Sequence, residues 1–219
     1  FARDERVVSV DSDLASTSGL QTGVGLVDKS RALNVGVAEA NMMLIGEAFG
    51  ILGANAWIST FCPFYDWKVL RRLAVGQQER LEVIEEGGWL SEGHGIDLTM
   101  VATAADLETK SNGATHMGND DALLFNELAC VDIVNVSCPR QLLSIMQWIM
   151  EGNKGVIYMR VLRAPAPVIY DDDFRFEFGR AYTVKSAGNA QATIVSSGRG
   201  VHEALEAAEL LEPKGICVD

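Results

Sequence analysis

Six short apolar runs, at residues 7–11, 33–37, 54–60, 96–103, 131–136 and 155–160, recur along the chain. Runs of this length, bounded by polar or glycine-rich segments, read as buried strands. Most are followed by a stretch of helical character, and strands that alternate with helices build a parallel sheet. The expected fold class is therefore α/β, a parallel sheet with helices on both faces. Residues 12–25, rich in Ser, Thr and Gly, read as a loop. An acidic, glycine-rich loop is expected at 81–95, with a short strand at 81–84 as an option.

Ala164-Pro165-Ala166-Pro167 interrupts the alternation and reads as a linker. Beyond it, residues 177–184, 191–196 and 215–218 read as strands around an amphipathic helix at 201–211. The expected organisation is one domain at 1–163, a linker at 164–176, and an incomplete second α/β domain at 177–219. Both ends read as cut from a longer chain. The first residues carry no signal-peptide core, and no apolar run reaches the roughly 18 residues of a membrane span. A net charge of −12 opposes binding to nucleic acid or an anionic membrane. Four scattered cysteines form no CxxC pair, so no zinc or redox motif is expected. Cys62, Cys130 and Cys138 read as small buried residues, and the setting as reducing and cytoplasmic.

Chemistry-bearing residues gather at the carboxyl ends of the expected strands, where open α/β sheets hold ligands. Asp11 and Asp13 close the first run. Glu39 falls in the first turn of a helix at 38–53, where the helix dipole favours a carboxylate. That helix is apolar on most faces, with Gly46 and Gly50 one turn apart. It is expected to be covered by a partner chain or domain, with an ordinary helix under its own sheet as the equal alternative, and the glycine side makes a homodimer plausible. Phe61, Phe64 and Trp67 are spaced to share roughly one helical face. His116 sits in the polar loop after residues 96–103, and the 155–160 run delivers Arg160 to the same edge as a possible anion clamp. Each has a plain alternative: capping for Glu39, core for the rings, a surface ion pair for Arg160. Ser197-Gly198-Arg199-Gly200 reads as a strand-to-helix turn with a slight likeness to a phosphate loop, and His202 as exposed.

Taken together, VDSDLAS, NVGVAEANMM, STFCPFYDW, NGATH, SCPRQ and GVIYMRVLR occur in an order and spacing that resembles the transketolase family. The resemblance covers the pyrimidine-binding domain and the start of the C-terminal domain. It implies transfer of a two-carbon ketol unit between sugar (phosphate) substrates with thiamine diphosphate. Glu39 matches the glutamate that shares a proton with N1′ of the aminopyrimidine, which needs a carboxyl in a dry pocket. Phe61, Phe64 and Trp67 match the aromatic pocket, with Trp67 where tyrosine is familiar. Asp13 matches the acid near the thiazolium. His116 matches the histidine near the reacting carbon, and Arg160 the arginine that takes the substrate's phosphate. Asn112 stands where the family reads a sugar hydroxyl with aspartate, and Ala104 where many members have histidine.

No Gly-Asp-Gly motif occurs, so the resemblance implies that Mg²⁺ and the diphosphate are held by a partner subunit or domain, not by this chain. The implied assembly is a homodimer or heterotetramer with a diphosphate-binding half, as in a split transketolase. Alternatives are a 1-deoxyxylulose-5-phosphate synthase-like enzyme, a 2-oxo acid dehydrogenase beta-like enzyme, or a non-catalytic assembly subunit.

Overall fold

The computed structural model describes residues 1–86, 94–108, 112–152 and 154–219. The chain opens with β1 (Val7–Asp11), α1 (Ala15–Ser18), α2 (Leu20–Gly25), β2 (Ala32–Asn34), α3 (Glu39–Ile51) and β3 (Asn55–Phe61). It continues through α4 (Trp67–Glu85), β4 (Leu98–Thr103), α5 (Asp121–Phe125), β5 (Val131–Asn135), α6 (Pro139–Met150), β6 (Val156–Val161) and α7 (Arg199–Leu211). Among the described residues the strands form one six-stranded sheet in the order β2-β1-β3-β4-β6-β5. Every pairing is parallel.

Alternation along each strand divides the core between the two faces. Ala56, Ile58, Leu98, Met100, Val156 and Tyr158 point toward α3, α4 and α5, where they meet Met42, Met43, Leu70, Leu73 and Phe125. Trp57, Val101, Ile157 and Met159 point the other way, toward Leu20 and Val24 of α2 and Ile145 and Ile149 of α6. Strands covered on both faces are largely apolar, as is usual in a parallel sheet. Local chemistry sets the helix starts. Asp66 caps α4 by accepting from the Val69 amide at 2.9 Å, and Pro139 opens α6, where a missing N–H costs nothing.

Several expectations are corrected. The stretch after β1 is not all loop, because it carries α1 and α2. Helix α4 runs through residues 81–85, so the optional strand there does not form, and 87–93 lie outside the described residues. The glycines of α3 face the chain's own sheet: a Cβ on Gly46 would stand 2.5 Å from Ile58 Cγ2, and one on Gly50 2.8 Å from Ile96 Cγ2. They are notches for β3 and the entry to β4, not a seam for a second copy. The opposite side of α3 is apolar and open, with Leu44 and Leu52 exposed beside Val37. Beyond residue 163, no strand forms at 177–184, 191–196 or 215–218. A single bridge joins Ala192 to Val218, so α7 is the regular element of that segment. Cys130 is exposed, while Cys62 and Cys138 are buried.

Candidate functional site

The chain leaves β1 for β2 on one side and returns to β3 on the other, so the sheet order reverses at β1. Such a reversal opens a crevice at the carboxyl ends of the strands, the usual ligand position in this architecture. Glu39 is the first residue of α3, half-buried, and faces this edge from the positive end of the helix. Buried hydroxyls of Ser12, Ser59 and Thr60, at the ends of β1 and β3, have no hydrogen-bond partner among the described residues. Groups of that kind call for water or a polar ligand.

The loops of the crevice are held by short-range polar ties. Asp11 is fully buried; its carboxylate accepts from the Leu14 amide at 2.5 Å and from Ser18 Oγ at 3.1 Å. Burial pushes its carboxyl above the usual range, and those two bonds partly offset the rise. Asp13, next along, is exposed and takes a left-handed backbone with φ 65°. One oxygen, Asn34 Oδ1, accepts from both the Asp13 amide at 3.2 Å and the Gly36 amide at 3.0 Å. That oxygen ties the loop carrying Asp13 to the turn that leads into Glu39.

Three rings meet at the end of β3. Phe61 and Phe64 lie 5.7 Å apart, and His116 sits 5.3 Å from the first and 5.0 Å from the second, all edge to face. His116 Nδ1 also meets Thr115 Oγ1 at 2.9 Å. The structure thus unites residues from β3, the turn after it and the loop after β4. Trp67 does not join them. Phe61 ends a strand and Trp67 begins a helix, so the three aromatics share no helical face. Trp67 is 40% exposed and stacks on Phe125 at 6.2 Å. Asn112 is exposed, four residues before His116.

Arg160 is 5% exposed and is built into the structure, not open at the edge. Its Nε donates to Asp121 Oδ2 at 3.0 Å, and its Nη2 donates to Gly118 O at 2.6 Å and to Asp106 Oδ1 at 3.2 Å. Tyr158 OH donates to the same Asp121 carboxylate at 2.8 Å. The exposed arginine here is Arg163, whose guanidinium lies 5.5 Å from the Phe61 ring centre. Arg163 follows the strand, which ends at Val161, and no sequence signal sets it apart from Arg160. Cys62 packs between these groups, and burial pushes its thiol up, so it is not a ready nucleophile. Gly118 presses on it; a methyl there would overlap Cys62 Cβ. His202 is buried, with Nε2 2.7 Å from Ser137 O, against the expectation of exposure. Among the described residues no cluster of His, Cys, Asp and Glu could hold a metal ion. No described helix is long and apolar enough to cross a membrane.

A parallel sheet with a switch point at β1, a helix-start carboxylate and an aromatic-histidine wall at its carboxyl edge defines an α/β domain of the open, ligand-binding architecture. Residues 1–167 match the family described as transketolase, pyrimidine binding domain, and the chain belongs to that family. It is 28% identical to a 6-deoxy-6-sulfo-D-fructose transketolase subunit from Clostridium sp. (strain MSTE9), over 98% of this chain and 61% of that protein. It is 22% identical to human transketolase, over 97% of this chain and 31% of that one. A solved split-gene transketolase, described as an inactive beta4 tetramer, superposes with a TM-score of 0.72 at 27% identity. That match covers 99% of this chain and 64% of the other. The chain spans about three fifths of the length of its first curated relatives.

Proposed function

We propose that this chain supplies the pyrimidine-binding half of a thiamine diphosphate site in a transketolase-type transferase, completed by a diphosphate-binding subunit or domain. The observation that carries the reading is the Phe61–Phe64–His116 wall at the same sheet edge as Glu39. The residues fit one half of the cofactor only. Aromatic edges and a carboxylate suit a flat, protonatable heterocycle, whereas the described residues offer no oxygen cage for Mg²⁺ and a diphosphate. The cofactor, when bound, would supply the means of carrying a two-carbon unit. Phe61 and Phe64 would pack against the pyrimidine, and Glu39 would hold a proton at its ring nitrogen. Glu39 is half-buried in this chain, and the partner half would complete its exclusion from water. Asp13 would face the thiazolium side.

His116 would contact substrate hydroxyls beside the reacting carbon, and Asn112 would read a further hydroxyl as an amide. Arg163, in place of Arg160, would take the anionic end of the sugar. The phosphate or sulfonate of such a substrate suits a guanidinium, and the sulfosugar named for the Clostridium relative is of that class. The open face of α3, with Val37, Leu44 and Leu52 exposed, would receive the diphosphate half. Residues 177–219 would open a second domain. The beta4 assembly of the split-gene relative is named inactive, which suits a site that one kind of chain cannot complete.

The test is calorimetry of thiamine diphosphate with Mg²⁺ against this chain alone and against its mixture with candidate diphosphate-half subunits. Binding is expected in the mixture only, followed by ketol transfer between sugar phosphates or sulfosugars. Glu39→Gln in the active mixture is expected to lower turnover by about 100-fold or more. Full turnover in that variant would remove Glu39 from the chemistry. Tight binding by this chain alone would contradict the shared site.

A further inference from the structure

The connection that carries His116 leaves β4 at Ala104 and comes back at Gly118, and its base is closed by the Asp106 amide donating to Gly118 O at 2.7 Å. Ala104 and Asp106 both take left-handed backbone, at φ 59° and 63°. Residues with a Cβ seldom adopt it, and such conformations persist only where the surroundings hold them. Arg160 does so from below, through Gly118 O and Asp106 Oδ1.

From the other side the base meets the start of α7. The Arg199 amide points to Asp106 Oδ2 at 3.5 Å, and Arg199 Nε pairs with Glu108 Oε1. Glu108 Oε2 in turn accepts from the Ala164 amide at 3.1 Å. One carboxylate therefore fastens the loop to both the linker and the C-terminal helix. The first turn of α7 is seated independently. Asn135 Nδ2 donates to Ser197 Oγ at 3.0 Å, and His202 meets Ser137 O. A Cβ on Gly198 would stand 2.7 Å from Asn135 Nδ2. Both acids thus lie at the start of the helix, where negative charge is favoured.

We infer that Arg199 is a positioning residue for His116: the C-terminal segment braces, through Glu108 and Asp106, the loop that presents the histidine to substrate. This rests on the proposed substrate-facing role of His116. It gives residues 197–202 a part in the site although none of them faces the crevice.

The test follows the imidazole proton signals of His116, His202 and His94, the last lying ahead of β4 with Nδ1 2.9 Å from Gly95 O, in the full chain, assigned with single His→Gln variants. Arg199→Met is expected to shift and broaden the His116 signal while leaving His94 in place. Arg199→Lys, which keeps a cation for Glu108, is expected to keep the His116 signal in place. In the active mixture, Arg199→Met should lower kcat about tenfold, because small misplacements of a positioned group are costly, with thiamine diphosphate affinity unchanged. If Arg199→Met fails to fold, Glu108→Gln is read in the same way. An unmoved His116 signal with unchanged kcat in either folded variant overturns the inference. A His116 signal that depends on Arg199, in a protein that shows no ketol transfer with any partner, would leave the brace standing and remove the proposed function instead.

Discussion

Two arginines three residues apart do opposite work. Arg160 lies in the sheet interior, and its partner Asp121 is buried with it. Arg160→Met would strand that carboxylate without a counter-charge, and the expected cost is about 3–5 kcal/mol in urea unfolding. Arg163 is exposed, so Arg163→Met should stay within about 0.5 kcal/mol of the parent. In the active mixture it should weaken an anionic sugar about tenfold, as loss of a charged hydrogen bond does. A reversal of these two results would return the anion-binding role to Arg160. The sequence showed that an arginine reaches the carboxyl edge. It did not show which, because that depends on Asp121, which lies 39 positions away. Trp67 and His202 were misplaced for a related reason: their partners Phe125 and Ser137 are distant in the chain. Glu39, Asp13 and the Phe61–Phe64 pair were placed at the correct edge because strand ends and helix starts are local features.

At the scale of elements, α3 has two apolar sides with different duties. Its glycine side is fitted to the sheet, and its other side is open. Gly46→Ala gains about 1 kcal/mol of helix propensity. The added methyl would press on Ile58 Cγ2 and Leu98 Cδ1, and overpacking of this kind costs about 1–3 kcal/mol. The expected balance is a loss of up to about 2 kcal/mol, read by thermal or urea unfolding. Leu44→Asp, on the open side, should leave unfolding unchanged and abolish association with the diphosphate half in analytical ultracentrifugation. Association that survives Leu44→Asp would mean that the partner docks elsewhere. Strands paired on both sides were legible from their apolar runs. The stretches at 177–184 and 191–196 were also read as strands, yet a strand-like stretch does not report the presence of a neighbour to pair with. Here the backbone of 191–194 finds only Cys217 and Asp219 to bond with. Helices α1 and α2 were missed because four and six residues are too few to show a helical period.

For the molecule as a whole, the sheet separates two chemistries, with the crevice at its carboxyl edge and a buried acid at its amino edge. Asp97 sits just before β4, 5% exposed, with Oδ1 at 3.4 Å from the Lys154 amide and Oδ2 without a hydrogen-bond partner among the described residues. Burial pushes its carboxyl up to about 6; the Lys154 amide and the charges of Arg6 and Lys154 work against the rise, and Asp4 adds to it. In the unfolded chain the same group titrates near about 3.9. Between those values the folded state holds a proton that the unfolded state has released, so stability falls as pH rises through this window and levels off above it. Below about pH 4 both states are protonated and the group is neutral in effect. About two units of pKa correspond to an upper bound of roughly 3 kcal/mol. Asp97→Asn removes the charge and keeps the Oδ1 acceptor. The variant should therefore match the parent near pH 4 and exceed it by about 1–2 kcal/mol at pH 7.5, measured by urea unfolding across the range. Because Asp97 lies at the opposite edge from Glu39 and His116, thiamine diphosphate binding by the mixture should be unchanged in the variant. A variant less stable than the parent at pH 7.5 would show that the ionised carboxylate is satisfied in the folded chain, and would remove Asp97 as a source of its pH dependence.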